Sequence, residues 1–169
     1  MIPNSYVLNG TAYNVIIGKS TENSGPFNNN ATIQSVTISG NVRVEDNDGR
    51  YMFYKCTNLK TLSCIPDGAT DISYICYMDS SLNSLPTVPV SVTKMDYAFY
   101  GCRGASGTQT VASDNVASAS GAYIDDKLTI RCKADTLTYK TLSAELANWT
   151  GVTLDNGSNT TIGDNTIDE

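Results

Sequence analysis

The sequence predicts a mainly β fold with short helical turns, arranged as a solenoid of about two to three 23-residue units closed by an N-terminal and a C-terminal cap. Three observations predict it. Tyr51, Tyr74 and Tyr97 are 23 apart, as are Tyr54, Tyr77 and Tyr100; Leu59 and Leu62 return as Leu82 and Leu85; Ile65-Pro66 returns as Val88-Pro89, with Ile72 returning as Met95. A fixed period in the twenties belongs to coiled repeats whose units each supply one short strand and one turn of helix or looser coil. About five side chains per unit point inward (Phe53, Leu59, Leu62, Ile65 and Ile72 in the first), and burying each stabilises by roughly 1.5 to 3 kcal/mol. Ordering the backbone costs about 1 to 2 kcal/mol per residue, so one unit alone is unstable. Stacking shares the apolar faces and strand hydrogen bonds between neighbours, and the flanking segments must supply the caps.

The repeated residues carry a resemblance. Tyr97-Ala98-Phe99-Tyr100-Gly101-Cys102, preceded by Val88-Pro89 and Val92-Thr93-Lys94-Met95, resembles the BspA-type leucine-rich repeat. The copy Met52-Phe53-Tyr54-Lys55-Cys56-Thr57-Asn58-Leu59, followed by Leu62 and Ile65-Pro66, is similar. The middle copy departs: Cys76 stands where Phe53 and Phe99 stand, and Asp79 where Cys56 and Cys102 stand. The resemblance covers roughly residues 36 to 102. It implies a leucine-rich-repeat-like solenoid, found in bacterial surface proteins, protist surface proteins and phage virion proteins with differing ligands.

The segments read as follows. Residues 1–34 form an N-terminal hairpin and loop, a cap or an attachment device: Tyr6-Val7-Leu8 and Thr11-Ala12-Tyr13 flank Asn9-Gly10, which suits a type I′ turn. Val15-Ile16-Ile17 extends the hairpin, and residues 19–31 are turn-formers that read as a surface loop. Residues 35–102 are the repeat solenoid. Within it Val36, Ile38, Val42 and Val44 alternate as a strand, with Ile38 equivalent to Ile65 at a spacing of 27 and the excess on Glu45-Asp46-Asn47-Asp48-Gly49. An EF-type calcium loop would need an acidic residue where Val44 sits, so that loop reads as a solvated turn.

Residues 103–126 are rich in Gly, Ser and Ala, with Val111 and Val116 as the sizeable apolar groups, and read as an excursion from the solenoid. Residues 127–155 form a strand-helix-strand C-terminal cap: Leu128, Ile130 and Cys132 alternate inward, and Ser143 is the expected N-cap of a helix reaching Trp149. Gly151 stops it and Val152-Thr153-Leu154 is the last strand. Residues 156–169 are a polar, loosely held tail.

Seventeen acidic against 11 basic residues give a net charge of -6 and a pI near 4.5, the wrong sign for gripping a phosphate backbone, so nucleic acid is excluded as a partner. The sequence shows no run of about 20 apolar residues for membrane insertion, and Met1-Ile2-Pro3-Asn4-Ser5 lacks the basic and apolar regions of a secretory signal. Joined to the resemblance, this suits a virion product assembled in the host cytoplasm, the alternative being an extracellular or cell-surface protein. The five cysteines are odd in number. Cys56 and Cys102 are two units apart, near 10 Å at about 4.8 Å per rung, beyond the roughly 7 Å limit of a disulfide, so both are expected as free thiols.

Chemistry is scarce. With no histidine, a Ser-His-Asp triad, a Cys-His pair and a histidine metal centre are ruled out, and no phosphate-cradling loop is present. No enzyme activity, cofactor or metal is expected. The carboxylate pairs Asp67/Asp71 and Asp125/Asp126 read as solvated turns. The ligand-binding candidates are Tyr54, Tyr77 and Tyr100, a ladder with rungs about 4.8 Å apart, together with Lys60 and Asn83 on the outward side of the strands. Exposed aromatic faces suit sugar rings and protein hot spots, while packing between units is the competing reading of the ladders. The sequence thus points to a non-catalytic virion protein, a fibre, tail or head decoration component, whose repeat surface binds a bacterial surface glycan or protein. Other virion proteins and a second copy of the chain are the further candidate partners. A secreted BspA-like adhesin and a decoration protein without host binding are the alternatives.

Overall fold

The computed structural model describes residues 5–8, 11–14, 16–19, 21, 24–39, 42–124, 127–157 and 161–162. β1 (Ser5–Leu8) and β2 (Thr11–Asn14) pair antiparallel, Ser5 opposite Asn14 and Leu8 opposite Thr11. The Asn9-Gly10 turn and the Asp125/Asp126 pair lie outside the described residues. β3 (Ile16–Ile17) does not extend the hairpin: it pairs parallel with β5 (Arg43–Val44). β4 (Ser35–Val36) pairs parallel with β6 (Thr61–Leu62).

Why the strands are so short is written in the sequence. Pro66, Pro86 and Pro89 have no N–H to give a ladder, so regular pairing stops near them and resumes as isolated parallel bridges, Val88 with Val111 and Asp71 with both Asp48 and Lys94. What holds one unit on the next is a second set of bonds through the turn segments. The amides of Tyr51, Phe53 and Lys55 donate to the carbonyls of Ser73, Ile75 and Tyr77, and those of Tyr74, Cys76 and Met78 donate to Asp96, Ala98 and Tyr100. Each donor is 22 residues from its acceptor, so equivalent side chains lie one above another. Inward columns follow: Leu59 with Leu82, Ile65 with Val88 and Val111, and Ala69 with Val92 and Val116, all buried.

Three expectations are corrected here. The polar segment 19–31 is not a free surface loop throughout, because Phe27 donates its amide to the Met52 carbonyl and stacks on Phe53 at 5.3 Å. A single aromatic residue among turn-formers is enough to dock the segment as a further rung. The irregular early unit is offset by 26 rather than 27: Val36 faces Leu62, whereas Asp48 bridges Asp71 at 23, so three extra residues lie between Val36 and Asp48. They are absorbed around a short 3-10 turn, Glu45–Asn47, whose Asp46 is left-handed (φ 53°) and accepts an ion pair from Lys19 at 2.5 Å, while Arg50 pairs with Asp48.

The third correction concerns residues 103–124, which do not leave the stack. β7 (Ser106–Thr110) pairs parallel with β8 (Lys127–Arg131), Lys94 bridges Ser118, and the Phe99 amide donates to the Ala122 carbonyl. Ala105, Gln109, Val111, Ser113, Val116, Ala119, Ala122 and Tyr123 are buried. Small side chains suffice there because Tyr123 takes the interior aromatic place, stacked on Phe99 at 5.7 Å and edge-on to Trp149 at 5.0 Å. Gln109 is satisfied by the Pro86 carbonyl and the Tyr123 hydroxyl.

The C-terminal sheet runs β10-β9-β8-β7, with β9 (Val152–Asp155) parallel to β8 and β10 (Thr161–Ile162) antiparallel to β9. Part of the segment expected as a loose tail is therefore paired. The helix, α1 (Leu137–Glu145), begins earlier than expected. Thr136, not Ser143, is the N-cap, its hydroxyl accepting from the Tyr139 amide at 3.1 Å, and a 3-10 turn (Leu146–Asn148) follows. Thr138, Leu142 and Leu146, four apart, bury one stripe of it. The described residues are thus mostly strand and turn with little helix, in short and largely parallel sheets of which none closes into a barrel.

Candidate functional site

The turn segments place two tyrosines per unit on one surface. Tyr51, Tyr74 and Tyr97 sit in the left-handed region (φ 53°, 60° and 53°), a conformation that costs a non-glycine residue about 1 to 2 kcal/mol. It is sustained by the amide bonds to Ser73, Asp96 and Ser120 and by ring stacking. Tyr51 and Tyr74 stack at 4.9 Å, and Tyr74 and Tyr97 at 5.1 Å, with planes within 14° of parallel. The second ladder repeats the geometry: Tyr54 and Tyr77 at 5.1 Å, Tyr77 and Tyr100 at 5.0 Å. Within each unit the two rings meet edge-on or tilted at 5.6 to 5.9 Å. Six partly buried tyrosines therefore form an array of two columns and three rows.

Expectation and structure part over which part of the ring is on offer. Exposed faces would suit sugar stacking, but both faces of Tyr74 and Tyr77 are occupied by the rings above and below, so these residues present edges. Packing between units, the competing reading, holds for both ladders. Burial pushes the Tyr74 and Tyr77 hydroxyls above the ordinary tyrosine value, with the neighbouring hydroxyls adding to it, so both remain neutral donors and acceptors at physiological pH.

Lys60 and Asn83 are exposed, as are Thr61 and Ser84. They form a column of their own, the Asn83 amide donating to the Lys60 carbonyl at 3.0 Å. Neither lines the two grooves that flank the tyrosine array.

Those grooves are lined by residues that sequence reasoning passed over. Beside the Tyr51 column a groove of about 260 Å³ is lined by Arg50, Asp71, Ser73, Lys94, Asp96 and Ser120 along with the tyrosines. Its acids are held in place: Asp71 accepts from the Ser73 amide and hydroxyl, and Asp96 from the Ser118 hydroxyl and the Ser120 amide. Beside the Tyr54 column, Lys55, Thr57, Met78, Ser80, Gly101 and Arg103 line a second groove of about 340 Å³. Lys55 Nζ lies 5.0 Å above the Tyr54 ring. The available signal was the 23-residue period itself, which puts Asp48, Asp71 and Lys94 in one column and Lys55, Met78 and Gly101 in another.

Among the described residues one carboxyl is buried. Asp79 is fully inaccessible, and neither of its oxygens has a hydrogen-bond partner of good geometry. Burial raises it from 3.8 to about 8, although the Cys56 amide and the Cys76 thiol pull the other way. It is therefore largely protonated at neutral pH. Asp67, by contrast, is exposed. The described residues bring no group of three or more His, Cys, Asp or Glu side chains into a metal-binding arrangement, and none of their helices is long and apolar enough to cross a membrane.

Neither the characterised proteins nor the solved structures contain a match to this chain. The profile of the BspA type leucine-rich repeat region does match, in six copies across residues 13–106, a span that takes in Phe27 and its docked turn as well as the tyrosine units. Repeats of this family are typically non-catalytic and suggest a surface or adhesion-type protein. With the stacked turn segments, the inward columns and this match over more than half its length, the chain belongs to the BspA-type leucine-rich repeat family.

Proposed function

We propose that the stacked units run as one solenoid and that the chain acts by binding, as a virion component (fibre, tail or head decoration) whose repeat surface engages a bacterial surface glycan or protein. The observation that carries this is the tyrosine array. Six rings held in register by stacking, three of them on left-handed backbone, form a rigid, amphipathic patch, and such rings give large contact area at little entropic cost on binding. Residues 1–34 serve as a cap or as the attachment to other virion proteins, and residues 127–155 as the C-terminal cap.

Purified protein incubated with bacterial cells tests the proposal. Binding is expected for the wild type and is expected to weaken in Tyr77→Phe and Asn83→Ala, which retain the ring stack. Absence of binding to any bacterial surface, with tight association to virions, would instead indicate a decoration protein. A gene neighbourhood of capsid or tail genes separates the virion reading from that of a cell-surface adhesin.

A further inference from the structure

We infer that the groove beside the Tyr51 column receives an extended chain of neutral, β-1,4-linked hexopyranoses lying along the stack, about one sugar to a unit; this rests on the binding function proposed above and names its ligand class. The groove runs lengthwise across the units. Tyr51, Tyr74 and Tyr97 each donate an amide to the next unit, to the carbonyls of Ser73, Asp96 and Ser120, so these three lining residues form one column. Asp71 and Lys94, bridged to each other, form a second column beside it. The tyrosine edges are the wall, and their rings repeat at 4.9 and 5.1 Å.

That repeat selects the ligand. The sugars of a straight β-1,4-linked chain, with equatorial links at both ends, advance by nearly the same distance, so they stay in step with the units. An α-1,4-linked chain of the same sugars coils and loses step. An extended peptide turns the same face outward every second residue, about 6.6 Å, and falls out of register within three units. A volume of about 260 Å³ spread over several units makes the groove shallow, suited to a chain one sugar wide and not to a helix about 10 Å across.

The polar groups suit hydroxyls. Asp71 Oδ1 accepts both bonds from Ser73, and Asp96 Oδ1 accepts those from the Ser118 hydroxyl and the Ser120 amide. The Oδ2 of each is left to accept from a sugar hydroxyl, on a carboxylate already held in place. Lys94 is exposed and makes no ion pair among the described residues, so its ammonium serves as a donor. Arg50 stays on Asp48 at 2.7 Å and takes no part in recognition. Two carboxylates in the groove and a chain charge of -6 repel an anionic polymer, which leaves a neutral one.

Calorimetric titration of the full chain with cellohexaose, cellobiose, maltohexaose and polygalacturonate tests this. Cellohexaose is expected to bind at least about tenfold more tightly than cellobiose, because linked sugars engage successive units at high effective concentration. Maltohexaose and polygalacturonate are each expected to bind at least about tenfold more weakly than cellohexaose, since either loses charged hydrogen bonds. Lys94→Gln and Asp96→Asn are each expected to weaken cellohexaose binding about tenfold. The melting temperature of Lys94→Gln should not change, and asparagine at 96 keeps the Oδ1 acceptor for the two serines. Absence of cellohexaose binding, equal affinity for maltohexaose, or undiminished binding by both variants overturns the inference. Its failure is separable from that of the binding function: cell attachment that survives in both variants but falls in Tyr77→Phe removes only the glycan groove. Cellohexaose binding with no attachment to cells upholds the groove and removes only the host-attachment reading.

Discussion

The Cys102 thiol donates to the Cys76 backbone carbonyl at 3.1 Å, just as the Cys56 thiol donates to the Phe27 carbonyl at 3.0 Å, and between them, at the equivalent place of the middle unit, stands Asp79. A thiol is a small apolar filler with one weak donor. The aspartate fits the same space at least cost with its proton on, because a carboxylate there is fully buried and its oxygens lack hydrogen-bond partners of good geometry.

Asp79→Cys is therefore expected to stabilise the protein, by about 3 kcal/mol at pH 8, within the range for replacing an unpaired buried ionisable group. The folded-state pKa of about 8 lies above the ordinary 3.8, so folded chains hold a proton that unfolded chains have already released. This proton's contribution is fully present below about pH 4, declines as pH rises toward 8, and is constant above that. Urea denaturation of both proteins across that range checks it: the advantage of the variant must grow with pH, and parallel stability curves would sink the assignment.

Tyr77→Ala removes stacking against Tyr54 and Tyr100 and the tilted contact with Tyr74. Aromatic pairs contribute about 0.5 to 1.5 kcal/mol each beyond their buried area, so a loss of about 2 to 3 kcal/mol is expected, against under about 1 kcal/mol for Tyr77→Phe. Thermal melts of the two variants give the comparison, and equal stability would mean that the ladder contributes nothing to folding.

Gly25→Ala should detach the docked N-terminal turn. A Cβ there would lie 2.1 Å from the Tyr51 carbonyl oxygen and 2.8 Å from the Met52 Cα, both backbone atoms that cannot swing aside. A destabilisation of about 3 kcal/mol, at the upper end for overpacking, is expected, with faster hydrogen exchange at the Phe27 and Asn29 amides.

All five cysteines are free, but only Cys64 is partly exposed. Burial, reinforced by the Asp79 carboxyl, pushes the Cys56 thiol up to about 11, and burial raises Cys132 to about 11 and Cys76 well above its ordinary 9.0. A thiol reagent at pH 8 should therefore modify one cysteine per native chain and five after unfolding. Rapid native reaction at two or more would contradict the stack.

The repeat itself was written in the residues. Spacings of 23 between tyrosines, leucines and Ile-Pro or Val-Pro pairs fix which side chains share a column, because a coiled chain with a constant period superimposes equivalent positions whatever its details. The family resemblance and the free Cys56 and Cys102 follow from that alone. Three things needed the tertiary structure. Residues 103–124 continue the stack with the period slipping from 23 (Val88 to Val111) to 24 (Lys94 to Ser118) and with alanine, serine and glutamine at inward places, so the motif of the earlier units is not repeated in them. The tyrosine faces proved to be occupied, since stacking at about 5 Å consumes in packing the surface that a lone exposed tyrosine would offer a ligand. The flanking grooves and the protonated Asp79 depend on what lies in the adjacent unit, 22 to 26 residues away. Local sequence sets the period, but burial and charge are properties of neighbours, and only the completed stack brings those together.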